Sequence, residues 1–330
     1  MVVIGGGGAS SATGPTLLHL KTQLAQEFMY HLATTVSATA TQGDLTRVVL
    51  ADELRDDQPD YENDTAHWLY ARTGVQAGTQ RRVIRGDPGN IHTMGAVVLS
   101  RPLSAALASG TTIDVTSPLP MTQAGSVKGL QECLLEGMAR IRVRARVALT
   151  GTGTRSTSLA SYPWLTDVNQ IMGIYDTVWD SDPASGERSP YGHRLVIDNV
   201  ARTLVTDQSY ATNETFYLDV IVRADRLVYD GSAWGYVTSL ANVTDSYQFA
   251  CDERWALQFG LWRAARYARL WLKTVRMDPD RKAAMLDEVE QRYRSAVAAC
   301  NLIKGGEFPR PPHGRPESLT EAPCDLAYVV

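Results

Sequence analysis

The run Val2-Val3-Ile4-Gly5-Gly6-Gly7-Gly8-Ala9-Ser10 has the residue types of a phosphate cradle. In such a cradle, glycines after a short strand let a pyrophosphate approach the N-terminus of the next helix. The surroundings differ from that unit. Only three apolar residues precede the glycines, Pro15 stands before the first helical pattern, and the acid at the expected distance, Glu27, lies within that helix. No Gly-x-x-x-x-Gly-Lys-Ser/Thr run occurs, so the stretch reads as a flexible arm and no cofactor is expected. Carboxylates for acid/base work are concentrated in Asp52, Glu53, Asp56, Asp57, Asp60, Glu62 and Asp64, which stand with one cation, Arg55, at a local charge of −6. General acid/base chemistry needs one carboxyl in an environment that shifts its pKa, and this polar stretch predicts no burial. It reads instead as a docking loop centred on Asp56, Asp57 and Asp60, complementary to a basic partner.

His19, His31, His67, His92, His193 and His313 form no His-Glu-x-x-His motif and no triad. Cys133, Cys251, Cys300 and Cys324 are far apart, so neither a metal site nor a disulfide framework is expected, and reduced thiols fit the spacing. No catalytic, cofactor-binding or metal-binding residue is assigned, and the chain is expected not to be an enzyme.

Two basic patterns stand out. From Arg140 the chain alternates strictly: Arg140, Arg142, Arg144 and Arg146 interleave with Ile141, Val143, Ala145 and Val147. As a strand, this places every arginine on one face and every apolar residue on the other; continued helix is the rival for its first half. Residues 250–276 set six cations against two acids, a local charge of +4, with Arg263, Arg266 and Lys273 at helical spacing and Trp255, Phe259, Trp262, Leu270 and Trp271 supplying an apolar face. Arg142, Arg144, Arg146, Arg263, Arg266 and Lys273 are therefore candidates for a subunit interface or a channel-facing surface, through pairing with carboxylates or loose contact with phosphates.

The elements that must position these residues follow from periodicity. Leu17, Leu20, Leu24, Phe28 and Leu32 predict a helix over 16–36, and Val127, Leu130, Leu134, Met138 and Ile141 predict another beginning near Ser126. Strands are predicted over 171–179, 193–197, 203–205, 215–222 and 226–229, with a hairpin turn at Asp230-Gly231. Asp278-Pro279 predicts an N-cap and first helical residue, followed by a seam of Met285, Val289, Tyr293, Val297 and Cys300. Pro309, Pro311, Pro312, Pro316 and Pro323 mark an extended tail.

The chain has 330 residues, long enough for about two folding units. With 44% hydrophobic and 21% charged residues it is ordinary for a globular protein, and a net charge of −4 gives no overall positive field for nucleic acid. No apolar run approaches the roughly twenty residues of a membrane span, and no secretory leader is read, so a soluble chain without membrane contact is expected. The expected class is α+β: a discontinuous helical hub (16–46, 121–165 and 246–304), two inserted antiparallel β modules (47–120 and 166–245) as small sandwiches or barrels, a glycine-rich arm (1–15) and an extended tail (305–330).

One order of segments resembles a known family. Trp68-Leu69-Tyr70-Ala71-Arg72-Thr73 is followed by Gly74, Gly78, Arg81-Arg82-Val83-Ile84, Gly95-Ala96-Val97-Val98-Leu99, Thr111-Thr112-Ile113-Asp114-Val115 and Ser117-Pro118-Leu119-Pro120, and then by the helical pattern near Ser126. This resembles the neck proteins of tailed bacteriophages, and is similar to the head-to-tail adaptors of the tail tubular protein A type of short-tailed phages. The resemblance covers about the first half of the chain and carries over no active-site residues. It implies a structural virion protein, located in the neck or tail and assembled in the host cytoplasm. Such a subunit would form a closed ring, a dodecamer, dock on the portal protein, join it to a nozzle or tail tube, and touch passing double-stranded DNA transiently and without sequence preference. The alternative from another class is a carbohydrate-active hydrolase or sugar-binding virion decoration, with exposed Trp179 and Trp234 stacking sugars.

Overall fold

The computed structural model describes residues 2–4, 14–38, 45–51, 67–86, 96–175, 187–188, 195–207, 209–305 and 327–329. The chain is α+β and divides into two compact units. One contains His19–Gly137 and Leu257–Ala299; the other contains Met1–Leu18, Met138–Ala256 and Cys300–Val330.

In chain order the elements are β1 (Val2–Ile4), α1 (Leu17–Phe28), β2 (Tyr30–Ala38), β3 (Arg47–Leu50), β4 (Trp68–Ala71), β5 (Gln80–Gly86), β6 (Ala96–Leu99), β7 (Thr112–Ser117) and α2 (Leu130–Met138). They continue with β8 (Ile141–Thr150), β9 (Ser156–Ser158), β10 (Ile171–Tyr175), β11 (Glu187–Arg188), β12 (Val196–Asp198), β13 (Thr203–Val205) and β14 (Thr215–Arg223). The last are β15 (Leu227–Tyr229), β16 (Trp234–Tyr236), β17 (Gln248–Phe249), α3 (Glu253–Thr274), α4 (Pro279–Gly305) and β18 (Ala327–Val329).

In the first unit, strands close into a six-stranded barrel in the order β2-β3-β6-β5-β4-β7. Alternation fills its interior: Val36, Val48, Leu50, Leu69, Val83, Val97, Leu99, Ile113 and Val115 form one buried cluster. Trp68, Tyr70, Asp114 and Thr116 take the opposite parity on β4 and β7, yet all are buried. Helices lie over that outer face. The Lys21 ammonium of α1 stands 4.7 Å from the centre of the Tyr70 ring, and Arg72, just past β4, donates to Thr22 of α1 at 3.1 Å.

The barrel corrects the first helix prediction. Helix α1 buries Leu17, Leu20, Leu24 and Phe28 but ends at Phe28, and Leu32 belongs to β2. The residues from Tyr30 to Thr35 pair with β7 and close the barrel, and the β-branched run Thr34-Thr35-Val36 favours that strand over another helical turn.

Helix α2 starts at Leu130, four residues later than the sequence suggests, because its first amide groups donate to loop carbonyls, Leu130 to Pro120 at 2.7 Å and Gln131 to Met121 at 2.9 Å. It crosses α3 at close range. A Cβ on Gly137 would lie 2.6 Å from the Phe259 carbonyl, and one on Gly260 would lie 2.6 Å from Leu134. The α3–α4 corner is set as its residues foretell: the Asp278 carboxylate accepts from the amides of Asp280 and Arg281 at 3.1 Å each, and Pro279 opens α4. Of the expected seam Val289 and Cys300 are buried, while Ala296 is buried in place of the half-buried Val297.

In the second unit β8 is the central strand. It pairs antiparallel with β14 over nine residues, from Thr150 opposite Thr215 to Arg142 opposite Arg223. The sheet runs β1-β8-β14-β10-β11, with β18 also on β8. Two smaller sheets, β12-β13-β9 and β16-β15-β17, complete the unit. The strands expected as a separate module over 166–245 thus pair with β8 and β17, which lie outside that range, and no second closed barrel forms among the described residues.

Both ends of the expected scheme also change where they are described. Val2–Ile4, assigned to the flexible arm, pairs parallel with Ala145 to Val147 of β8, and Ala327–Val329 of the expected tail pairs parallel with Ile141 to Val143. Three-residue runs rich in apolar residues complete the open edge of β8, which satisfies backbone groups that an arm would leave to water. Gly5 to Gly8 and the proline-rich run lie outside the described residues, as do Asp56, Asp57 and Asp60. Among the described residues no helix is long and apolar enough to cross a membrane.

The Asp230-Gly231 hairpin forms between β15 and β16, with Gly231 at φ +103°. The Asp230 carboxylate accepts from the Ala233 amide at 3.0 Å, the Ser232 hydroxyl at 2.7 Å and the Ser232 amide at 2.8 Å, and these bonds hold its pKa down at about 2. Its folded pKa is below the unfolded value near ~3.9, so its contribution is complete above that value and fades as pH falls through about 2. Asp230→Ala is therefore expected to lower the melting temperature at pH 7 and to lose that effect in acid; an equal deficit at both extremes would show that the ionised carboxylate is not the cause. Gly137→Ala is expected to cost about 1–3 kcal/mol through overpacking, read by chemical denaturation. Gly235→Ala, whose Cβ meets nothing within 4 Å, serves as the near-neutral control.

Candidate subunit-contact site

The cations of helix α3 differ in what they meet. Arg263 faces inward: its side chain is 11% exposed, its Nε lies 3.9 Å from Glu136 of α2, and its guanidinium covers the Trp262 ring at 4.3 Å. Glu136 also accepts from the Tyr267 hydroxyl at 2.9 Å and from Lys128 at 3.0 Å. Burial opposes the charge on Lys128, but the hydrogen bonds it donates to Glu132 and Glu136 hold its pKa above the ordinary lysine range. Arg269 donates to Glu290 of α4 at 2.7 Å and stands 5.0 Å from the Tyr293 ring. These charges join helix to helix within the unit.

Arg266 and Lys273 fall between Arg263 and Arg269 in helical phase and are exposed. Leu270 lies between them and is 51% exposed, which corrects its expected place on the apolar face. At i, i+4 and i+7 the three residues form one row. Arg266, Lys273 and the exposed Arg276 beyond the helix end have no ion-pair partner among the described residues.

The arginine strand forms as the alternation predicts, but most of its charge is covered. Along β8, Ile141, Val143, Ala145 and Val147 are buried on one face, and Arg142, Arg144 and Arg146 share the other. Register adds Asp219 of β14 directly opposite Arg146, with Arg223 opposite Arg142. Arg144 pairs with the buried Asp219 carboxylate, Arg142 donates to the Ala139 carbonyl at 2.7 Å, and Arg223 pairs with Asp225 at 2.7 Å. Arg146 is 1% exposed. Expected as a channel or subunit contact, it lies inside the fold instead, on the face that also carries the buried Asp219, 73 positions away.

Three ionisable residues that the sequence reading left unassigned meet on the outer face of the barrel. Asp114 of β7, 0% exposed, accepts from Arg72 through both carboxylate oxygens, with Nη2 at 2.6 Å from Oδ1, and lies 2.7 Å from Nε2 of His31 on β2. The bidentate arginine occupies the carboxylate, so the arrangement is an ion pair that ties strands together rather than a base held ready for proton transfer. The available signal was a lone acid in the apolar run Ile113-Asp114-Val115; its partners, 83 and 42 positions away, gave none.

Comparison of the chain with protein-family models, curated proteins and solved structures finds no match. Its own residues carry the functional reading. Trp234, expected as an exposed sugar platform, is 7% exposed and packs on Tyr229 at 5.6 Å, while Trp179 lies outside the described residues. Cys133 and Cys251 are buried thiols, and burial pushes Cys251 up to about 12. Among the described residues no group of three or more His, Cys, Asp or Glu side chains is placed to hold a metal.

Replacing Asp114 with alanine is expected to cost about 3–5 kcal/mol, because Arg72 would be left in a largely buried site without its counterion. Urea denaturation measures the loss; a cost below about 1 kcal/mol would show that the barrel closes without this pair.

Proposed function

We propose that the protein is a structural virion subunit of a tailed-phage neck, a head-to-tail adaptor that docks on the portal ring and joins it to the tail or nozzle. The observation that carries the proposal is the Arg266, Leu270 and Lys273 row, an exposed cationic and apolar face on a long helix. Helix α3 has 22 residues and α4 has 27, and four residues, 275–278, join them. Such a pair offers a rigid surface for a neighbouring copy.

The hub reading also has support within the barrel-containing unit. Helices from three separated stretches meet there: Lys21 of α1 lies 3.5 Å from Gln131 of α2, Tyr267 of α3 bonds Glu136 of α2, and Arg292 of α4 donates to the Glu27 carbonyl of α1. In this proposal copies pack head-to-tail into a closed ring of about twelve, with the count taken from the family resemblance, and the ring forms part of the DNA conduit. The basic row serves subunit contact first; contact with passing DNA is transient.

Electron microscopy of the purified protein with and without a portal ring from the same particle tests this function. Rotationally symmetric density capping one end of the portal is the expected result. Monomers that neither close a ring nor bind the portal would overturn it.

A further inference from the structure

Arg266 and Lys273 are seven residues apart on α3, so the row with Leu270 at its middle is about 10 Å long. An exposed leucine by itself calls for no partner. Here it lies between two cations that have no ion pair among the described residues, with Arg276 extending the positive charge. A matching occupant needs carboxylates with apolar side chains close by in the chain.

The chain contains such a segment. Residues 52–64, outside the described residues, carry seven acids and one arginine, together with Leu54, Pro59 and Tyr61. Its local charge of −6 complements the two cations, and Leu54, Pro59 and Tyr61 are the apolar residues available to cover Leu270. Duplex DNA would meet the two cations but offers no apolar side chain to cover Leu270.

We infer that segment 52–64 of one copy docks on the Arg266, Leu270 and Lys273 row of the next copy. The inference rests on the ring proposal and names its contact. The two surfaces differ, so the contact is heterologous: each copy gives its segment to one neighbour and its helix to the other, and a ring closes when the rotation permits. Charge complementarity sets the order of neighbours and speeds their meeting, and Leu270 adds apolar burial at the centre. Assembly should therefore weaken as salt rises.

Charge exchange tests the contact. One variant carries Arg266→Glu and Lys273→Glu, a second carries Asp56→Lys, Asp57→Lys and Asp60→Lys, and a third carries all five; light scattering reads assembly against the unaltered chain, and circular dichroism checks folding. Each of the first two should lose assembly at least about tenfold, the third should regain it, and an equimolar mixture of the first two should also regain it by alternating around the ring. Recovery by the third variant but not by the mixture would place the contact within one chain and overturn the inference. Unchanged assembly by the first two would overturn it while leaving the ring proposal standing; unchanged assembly with lost retention of duplex DNA would make the row a DNA surface. An unaltered chain that neither assembles nor binds a portal would remove the ring proposal itself. Should a reversed chain fail to fold, Arg266→Gln with Lys273→Gln takes its place, with about a tenfold loss expected and unchanged assembly overturning the inference.

Discussion

The carboxylate of Asp114 joins three barrel strands at one point. Arg72 reaches it from the end of β4, His31 from β2, and Asp114 itself belongs to β7, the strand between them; the same arginine holds Thr22 of α1. Taking an acid and a guanidinium out of water costs several kcal/mol, and bidentate geometry with the further contact to His31 offsets it. The pair therefore gives a unique arrangement more than it gives stability. Strand β2 pairs with β7 through this region, and the helix covering the barrel is anchored to the same group. A slip of one residue in β7 would turn Asp114 into the apolar interior and send Ile113 and Val115 out.

Strand β8 obeys a similar constraint with the opposite charge in excess. Its arginines alternate onto one face, and bare burial of that face would be prohibitive. Asp219 and Asp225, both fully buried, make the burial tolerable by pairing with Arg144 and Arg223. The apolar face is thereby free to form the core of the unit with Leu218, Val220 and Val222 of β14. Side chains that suggest a charged channel lining when the strand is viewed alone become internal counterions once β14 lies beside it.

What remains at the surface is accordingly selective. On α3, Arg263 and Arg269 are engaged by Glu136 and Glu290, whereas Arg266 and Lys273 project outward around Leu270. Isolated surface charges contribute little to stability; in the proposed ring the row would act in association, where opposite charge on a partner sets orientation and rate. The long helices supply rigidity, and Gly137 and Gly260 let α2 approach α3 closely enough to support it from behind.

Sequence by itself determined the elements whose signals are local: the Asp278-Pro279 start of α4, the Asp230-Gly231 hairpin, the alternation of β8 and the α+β class. Each depends on spacing within a few residues, where period and cap chemistry act directly. Tertiary structure alone decided that the helix begun at Leu17 stops at Phe28, that Val2–Ile4 and Ala327–Val329 complete the edge of β8, that Arg146 is covered while Arg266 is not, and that His31, Arg72 and Asp114 meet. Periodicity shows which residues share a face but not what lies against it. Burial of a charge is settled by strand register between distant segments, as when Asp219 comes opposite Arg146, and no local pattern encodes that pairing.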